Sequence, residues 1–117
     1  MPHVVLEGAV DLQRFCSEYC PSTHPIAGGL VKLKRAYVST TADEILIEAV
    51  AIEEGHAQRF LVQILVRESR TTVKLYSGID PEKTEGVKTT VALVARQLKA
   101  CSPYAHYGAT NLGDLLL

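Results

Sequence analysis

Alternating apolar and polar residues predict five β-strands in the chain. Apolar and polar residues alternate over 2–7. Pro2 can open this strand, because a proline at a strand end removes no hydrogen bond between strands. Four later runs alternate or are rich in β-branched residues: 30–39, 44–53, 58–67 and 71–77. In the first of these runs, Val31, Leu33 and Tyr37 are expected on one face. Because the connections between the four runs are short, we expect antiparallel hairpins.

Two segments have the periodicity of amphipathic helices. The first follows Asp11, a residue suited to an N-cap, and its apolar stripe is Leu12, Phe15, Cys16 and Tyr19. The second is predicted to begin at Asp80-Pro81-Glu82, where an N-cap, a proline and an acid follow one another. Its buried stripe is Val87, Val91, Val94 and Leu98. Turn-forming residues predict loops at 20–25 and at Gly28-Gly29.

The predicted order is therefore β-α-β-β-β-β-α, followed by a tail. This order indicates an α+β fold with both helices packed on one face of a mostly antiparallel sheet. The tail, residues 102–117, is too apolar to be left in water. It could dock on its own sheet or across a subunit boundary. We expect the second arrangement, in a homo-oligomer, because a small domain gains most by covering surface through association.

Size and charge limit the classes of function. The chain has 117 residues, which predicts one domain, 1–117. Its net charge of -1 argues against nucleic-acid binding through a broad basic surface. No apolar run approaches the roughly 18–20 residues that span a bilayer, so no membrane partner is expected. The first residues lack the pattern of a signal peptide, and a cytoplasmic location is expected.

The cysteines allow two interpretations. Their number, 3, is odd and fits a reducing compartment. Cys16, Cys20 and His24 follow at four-residue intervals and could ligate zinc from one helical face. Pro21 should end that helix, however, and no fourth ligand is evident, which favours buried, inert thiols. Since dinucleotide and phosphate motifs are also absent, neither a metal nor another cofactor is expected.

The opening Met1-Pro2-His3 and the apolar strand after it resemble the tautomerase superfamily, in particular its 5-carboxymethyl-2-hydroxymuconate isomerase-like group. In that family the initiator methionine is removed, and the proline nitrogen becomes the catalytic base. The resemblance implies Pro2 as the base, a tautomerase-like fold of two β-α-β halves, and a trimer. A free α-amine titrates near about 8, and burial lowers this value, so such an amine can abstract a proton near pH 7.

The basic strand after the first helix carries the second part of the resemblance. In the family, basic residues there bind the substrate carboxylate and polarise its carbonyl. The resemblance assigns these roles to Lys32 and Lys34, although lysines stand where the family has arginines. Arg35 is a third candidate, which alternation points to the other face. The alternative interpretation is that these three charged residues simply form the solvent-exposed face of a strand.

Two functional hypotheses follow. The first is a cofactor-independent isomerase that transfers a proton on a small carboxylated keto-enol substrate. The second is a non-catalytic oligomeric module that binds a ligand or a protein.

Overall fold

Seven antiparallel strands and two α-helices make up the structure, a computed structural model that describes residues 1–117. In chain order the elements are β1 (His3–Glu7), α1 (Leu12–Glu18), β2 (Ser22–Ile26), β3 (Gly29–Val38), β4 (Glu44–Glu53), β5 (His56–Arg67), β6 (Arg70–Leu75), α2 (Glu85–Cys101), β7 (His106–Thr110) and a 3₁₀ helix (Gly113–Leu116). The strands lie in one sheet in the order β2-β3-β4-β5-β6-β1-β7, and every neighbouring pair is antiparallel.

The predicted order β-α-β-β-β-β-α is wrong, because the chain has two strands that alternation did not predict. β2 lies in the segment assigned to a loop, and it tolerates Pro25 because it is an edge strand paired only with β3. β7 lies in the tail and pairs with β1 at the opposite edge. The tautomerase-like architecture is wrong as well. β3 to β6 form one antiparallel meander between the helices, so the chain is not two β-α-β halves.

The core lies between α2 and the concave face of the curled sheet. α2 contacts five strands, β1 and β3 to β6, which a single helix can do only where the sheet bends around it. Its stripe of Val87, Val91, Val94 and Leu98 is fully buried. Alternate residues of the central strands meet this stripe: Ile45, Ile47, Phe60, Val62 and Ile64. Neither helix combines the length and the apolar content needed to cross a bilayer.

α2 begins at Glu85, so the predicted start at Asp80-Pro81-Glu82 is wrong. The side chain of Gln58, on β5, accepts a hydrogen bond from the backbone N–H of Glu82 at 2.8 Å and donates one to its carbonyl at 3.4 Å. These bonds tie the loop to β5, outside the helix. Thr84 is the N-cap instead, since its Oγ1 accepts from the N–H of Val87 at 3.3 Å.

The tail folds back on its own protomer. β7 extends the sheet beside β1, and Leu112 is buried in the core. Leu115 and Leu116 pack against the same core, whereas Tyr104 and Leu117 remain exposed. The tail therefore occupies the first of its two predicted positions, its own sheet. The homo-oligomer stays a prediction. The apolar tail no longer supports it, because Leu112, Leu115 and Leu116 pack within their own chain.

Truncation of the helix stripe should destabilise the protein. Leu98 has an exposed fraction of 0%, and Leu98→Ala should lower the free energy of unfolding by about 2–5 kcal/mol, because it leaves a cavity. Leu117, at 96% exposed, provides the matched control: Leu117→Ala should change stability by less than about 0.5 kcal/mol. Urea denaturation of both variants measures this difference. Equal midpoints would contradict the packing of α2.

The position of the α2 N-cap has its own test. Thr84→Ala removes the acceptor for the first turn and should cost about 1–2 kcal/mol in urea denaturation. Asp80→Ala should stay within about 0.5 kcal/mol of the parent, because Asp80 is an exposed loop residue outside the helix. A larger loss from Asp80→Ala than from Thr84→Ala would favour a helix that starts at Asp80.

Candidate functional site

Pro2 lies directly before β1, on the face that α2 covers. It is buried and alternates with Val4 and Leu6, both with no exposed surface. Met1 precedes it, so its nitrogen is an amide nitrogen in this chain and has no basicity. The catalytic role of Pro2 stays a prediction that needs both the loss of Met1 and access to the nitrogen.

The structure does not bring Pro2 together with the predicted substrate-binding cations in one protomer. β4, β5 and β6 lie between β3 and β1, which corresponds to a separation of about 19 Å along the sheet. Lys32 and Lys34 also project from the opposite face, since Val31 and Leu33 beside them are buried under α2. Any catalytic pairing of these groups would require a second protomer.

A β-bulge brings Lys34 and Arg35 to the same place. Between Leu33 and Ala36 the register of β3 against β4 shifts, so Lys34 and Arg35 together stand opposite a single residue of β4. Alternation predicted opposite faces for these two cations, but both border one cleft. The same shift moves Tyr37 off the core face to which alternation assigned it, and the residue is half-exposed. Lys32, before the bulge, does not border this cleft.

The cleft beside the bulge, here the α1–β3 cleft, has a volume of about 330 Å³. Its walls are mainly apolar side chains from α1, the residues that follow it and the end of β3: Phe15, Tyr19, Pro21, Ala36, Tyr37 and Val38. Lys34 and Arg35 stand at its border, and neither forms an ion pair with any carboxylate of the chain. Sequence reasoning assigned Phe15 and Tyr19 to a core stripe and did not associate either ring with these cations.

Tyr19 fastens α1 to the bulge. Its hydroxyl donates a hydrogen bond to the backbone carbonyl of Lys34, and its ring packs against Phe15 with a centroid distance of 5.8 Å. Burial, with smaller contributions from nearby Cys20 and Glu48, raises the pKa of Tyr19 to about 12. The hydroxyl therefore stays protonated as a donor at neutral pH, and the cleft keeps a defined shape.

The cysteines and His24 are divided between two clefts. Cys16 lines the α1–β3 cleft, whereas Cys20, His24 and Cys101 line a separate cleft of about 270 Å³. No group of three or more His, Cys, Asp or Glu side chains is placed to hold a metal ion. The ring of His24 lies 2.8 Å from the hydroxyl of Ser22, two positions earlier on β2. All three thiols are free.

Comparisons of the chain with protein-family models, with characterised proteins and with solved structures give no match. The resemblance to tautomerases therefore stays a prediction from the opening residues and the basic strand.

Cys16 and Cys101 should be poorly reactive. Burial raises the pKa of Cys16 and Cys101, so at pH 7.5 a smaller fraction of each is thiolate than in free cysteine. Iodoacetamide should alkylate Cys16 more slowly than free cysteine at that pH, and the rate for Cys16 should go on rising above a pH of about 8.5, where free cysteine is already half thiolate. Peptide mass analysis follows the reaction at each site. Because Cys16 is an exposed residue, access does not limit it, and a rate equal to that of free cysteine would contradict the raised pKa.

Proposed function

We propose that the protein is a binding module for a small amphipathic carboxylate, which lies in the α1–β3 cleft with its anionic end at Lys34 and Arg35. One observation carries this proposal: two cations without ion-pair partners border an apolar cleft of about 330 Å³. This volume falls within the range of about 300–1,000 Å³ that small-molecule sites occupy.

The chemistry of the border supports a carboxylate. The guanidinium of Arg35 offers a planar fork of donors that matches two carboxylate oxygens, and the ammonium of Lys34 adds a point charge. The aromatic and aliphatic walls suit a hydrocarbon chain, whose transfer from water contributes about 25 cal/mol for each Å² buried. A purely polar anion would leave these walls unused.

Binding fits this cleft better than catalysis, for reasons of acid-base chemistry. Among the lining groups that could move a proton, Tyr19 has a pKa of about 12 and already donates its hydrogen bond to the backbone carbonyl of Lys34. Burial raises the pKa of Cys16, the titratable group that α1 contributes to the cleft. Neither is tuned to act as a base near neutral pH. Proton transfer by Pro2 stays a separate prediction, and no geometry in this protomer favours it.

Location and assembly belong to the proposal as well. We place the protein in the cytoplasm, because three free cysteines fit a reducing compartment. A homo-oligomer, with a trimer favoured by the resemblance, stays a prediction that light scattering at micromolar concentration tests. A monomer under those conditions would contradict it and leave carboxylate binding unaffected.

Octanoate, octanol and octylamine form a matched set of probes for the cleft. In calorimetric titration of the full chain, octanoate should bind at least tenfold more tightly than the other two, because only octanoate pairs with the cations. Arg35→Met should weaken octanoate binding by about tenfold or more, a loss of about 1.4 kcal/mol. Arg67→Met is the control: Arg67 is exposed, lies outside the cleft and pairs with Asp43 at 3.5 Å. Equal binding of octanoate and octanol would contradict the proposal.

A further inference from the structure

A second cleft lies on the face of the sheet that α2 does not cover. It has a volume of about 260 Å³ and crosses β4 and β5, so we name it the β4–β5 cleft. Val50 and Leu61 form its apolar floor, and Ile79 from the loop after β6 forms one wall. The cleft borders three charged side chains, Lys34, Glu48 and Arg59. No sequence motif pointed to Glu48 and Arg59 as partners.

The strand register sets the spacing of the opposite charges. Glu48 pairs with Leu61 and Val50 pairs with Arg59, so Glu48 and Arg59 are diagonal neighbours on one face. Diagonal neighbours across an antiparallel pair have Cα atoms about 7–8 Å apart. Side chains of this length could close that gap, yet Glu48 and Arg59 form no ion pair.

Tyr37 explains why the two charges stay apart. Its hydroxyl donates a hydrogen bond to Oε2 of Glu48 at 2.9 Å, which holds the carboxylate toward β3 and away from Arg59. Oε1 of Glu48 has no partner within the chain, and neither does the guanidinium of Arg59. An acceptor and a donor of opposite charge therefore face one apolar floor, each with unused hydrogen-bonding capacity.

We propose that the β4–β5 cleft binds the zwitterion of a small apolar α-amino acid. Its ammonium group donates to Glu48, its carboxylate pairs with Arg59 and Lys34, and its side chain lies on Val50, Leu61 and Ile79. A simple carboxylate would leave Glu48 as a repelling charge, and a simple amine would meet two cations. The mixed charge of this cleft distinguishes it from the α1–β3 cleft, whose border is only cationic, and the proposal does not depend on the function proposed for that cleft.

Three probes that share the isobutyl side chain test the charge pattern on the full chain: L-leucine, 4-methylpentanoate, which lacks the ammonium, and 3-methylbutylamine, which lacks the carboxylate. Amide shifts in two-dimensional NMR give both the affinity and the location of each probe. L-Leucine should bind at least tenfold more tightly than either analogue and should shift residues 48–50 and 59–61. Octanoate in the α1–β3 cleft should instead shift residues 15–19 and 35–38. Lys34 borders both clefts and therefore does not discriminate, but the other residues distinguish failure at one cleft from failure at the other.

Substitutions of Glu48 and Arg59 then test which group of the ligand each residue binds. Glu48→Gln should abolish the preference for L-leucine over 4-methylpentanoate. Arg59→Gln should reduce the preference for L-leucine over 3-methylbutylamine, because only Lys34 then remains to pair with the carboxylate. Arg67→Met, which removes an exposed cation on the same strand outside the cleft, should leave L-leucine binding unchanged. The proposal is overturned if L-leucine binds no more tightly than its analogues to the unaltered chain, or if the residues that it shifts lie outside the β4–β5 cleft. Since the probe series needs no substitution, its result does not depend on how any variant folds.

Discussion

The packing of α2 into the concave face of the sheet is the interaction on which the rest of the structure depends. One helix provides the apolar surface for five strands, so the sheet must curl around it. Glu53 on β4 sets the position of the helix start, because its carboxylate accepts hydrogen bonds from the hydroxyl of Thr84 at 2.6 Å and the N–H of Gly86 at 3.1 Å. A Cβ at Gly86 would lie 2.6 Å from that carboxylate, which explains the glycine in the first turn. The helix is thus fixed to the sheet at its N-terminus as well as along its stripe.

A helix that fills one face of the sheet leaves the other face open, and the β4–β5 cleft lies on that open face. The core face buries no charged side chain, and Lys32, Lys34 and Arg59 project to the open side. Ile79 adds a wall beside Arg59, and α1 adds another beside Lys34. At 7 residues it is too short to be stable alone, and its position comes from contacts with α2 and from the hydrogen bond of Tyr19 to Lys34. The α1–β3 cleft is the space between this anchored helix and the bulge of β3.

The bulge has a chemical consequence as well as a geometric one. In a regular strand, Lys34 and Arg35 would lie on opposite faces, and only one of them could meet a given anion. The extra residue places both at one cleft and turns Tyr37 outward, where its hydroxyl orients Glu48. One local irregularity in β3 therefore shapes both clefts: it makes the first cationic and keeps opposite charges separate in the second.

The sequence by itself determined the elements whose signal is local. The run 44–53 is β4 without a change of boundary, Asp11 caps α1 by accepting from the N–H of Arg14, and the stripe of α2 lies at the predicted positions. Periodicity and capping chemistry act within a few residues, so they can be recognised from the sequence alone.

Only the tertiary structure decided the remaining features of the fold. β2 and β7 contain proline or glycine and are strands because a neighbouring edge supplies their hydrogen bonds. Contacts between residues distant in sequence set the start of α2: Gln58 binds Glu82 in the preceding loop, and Glu53 accepts a hydrogen bond from Thr84. The bulge, and with it the pairing of Lys34 with Arg35, depends on the register between β3 and β4, which residues of β3 alone do not specify.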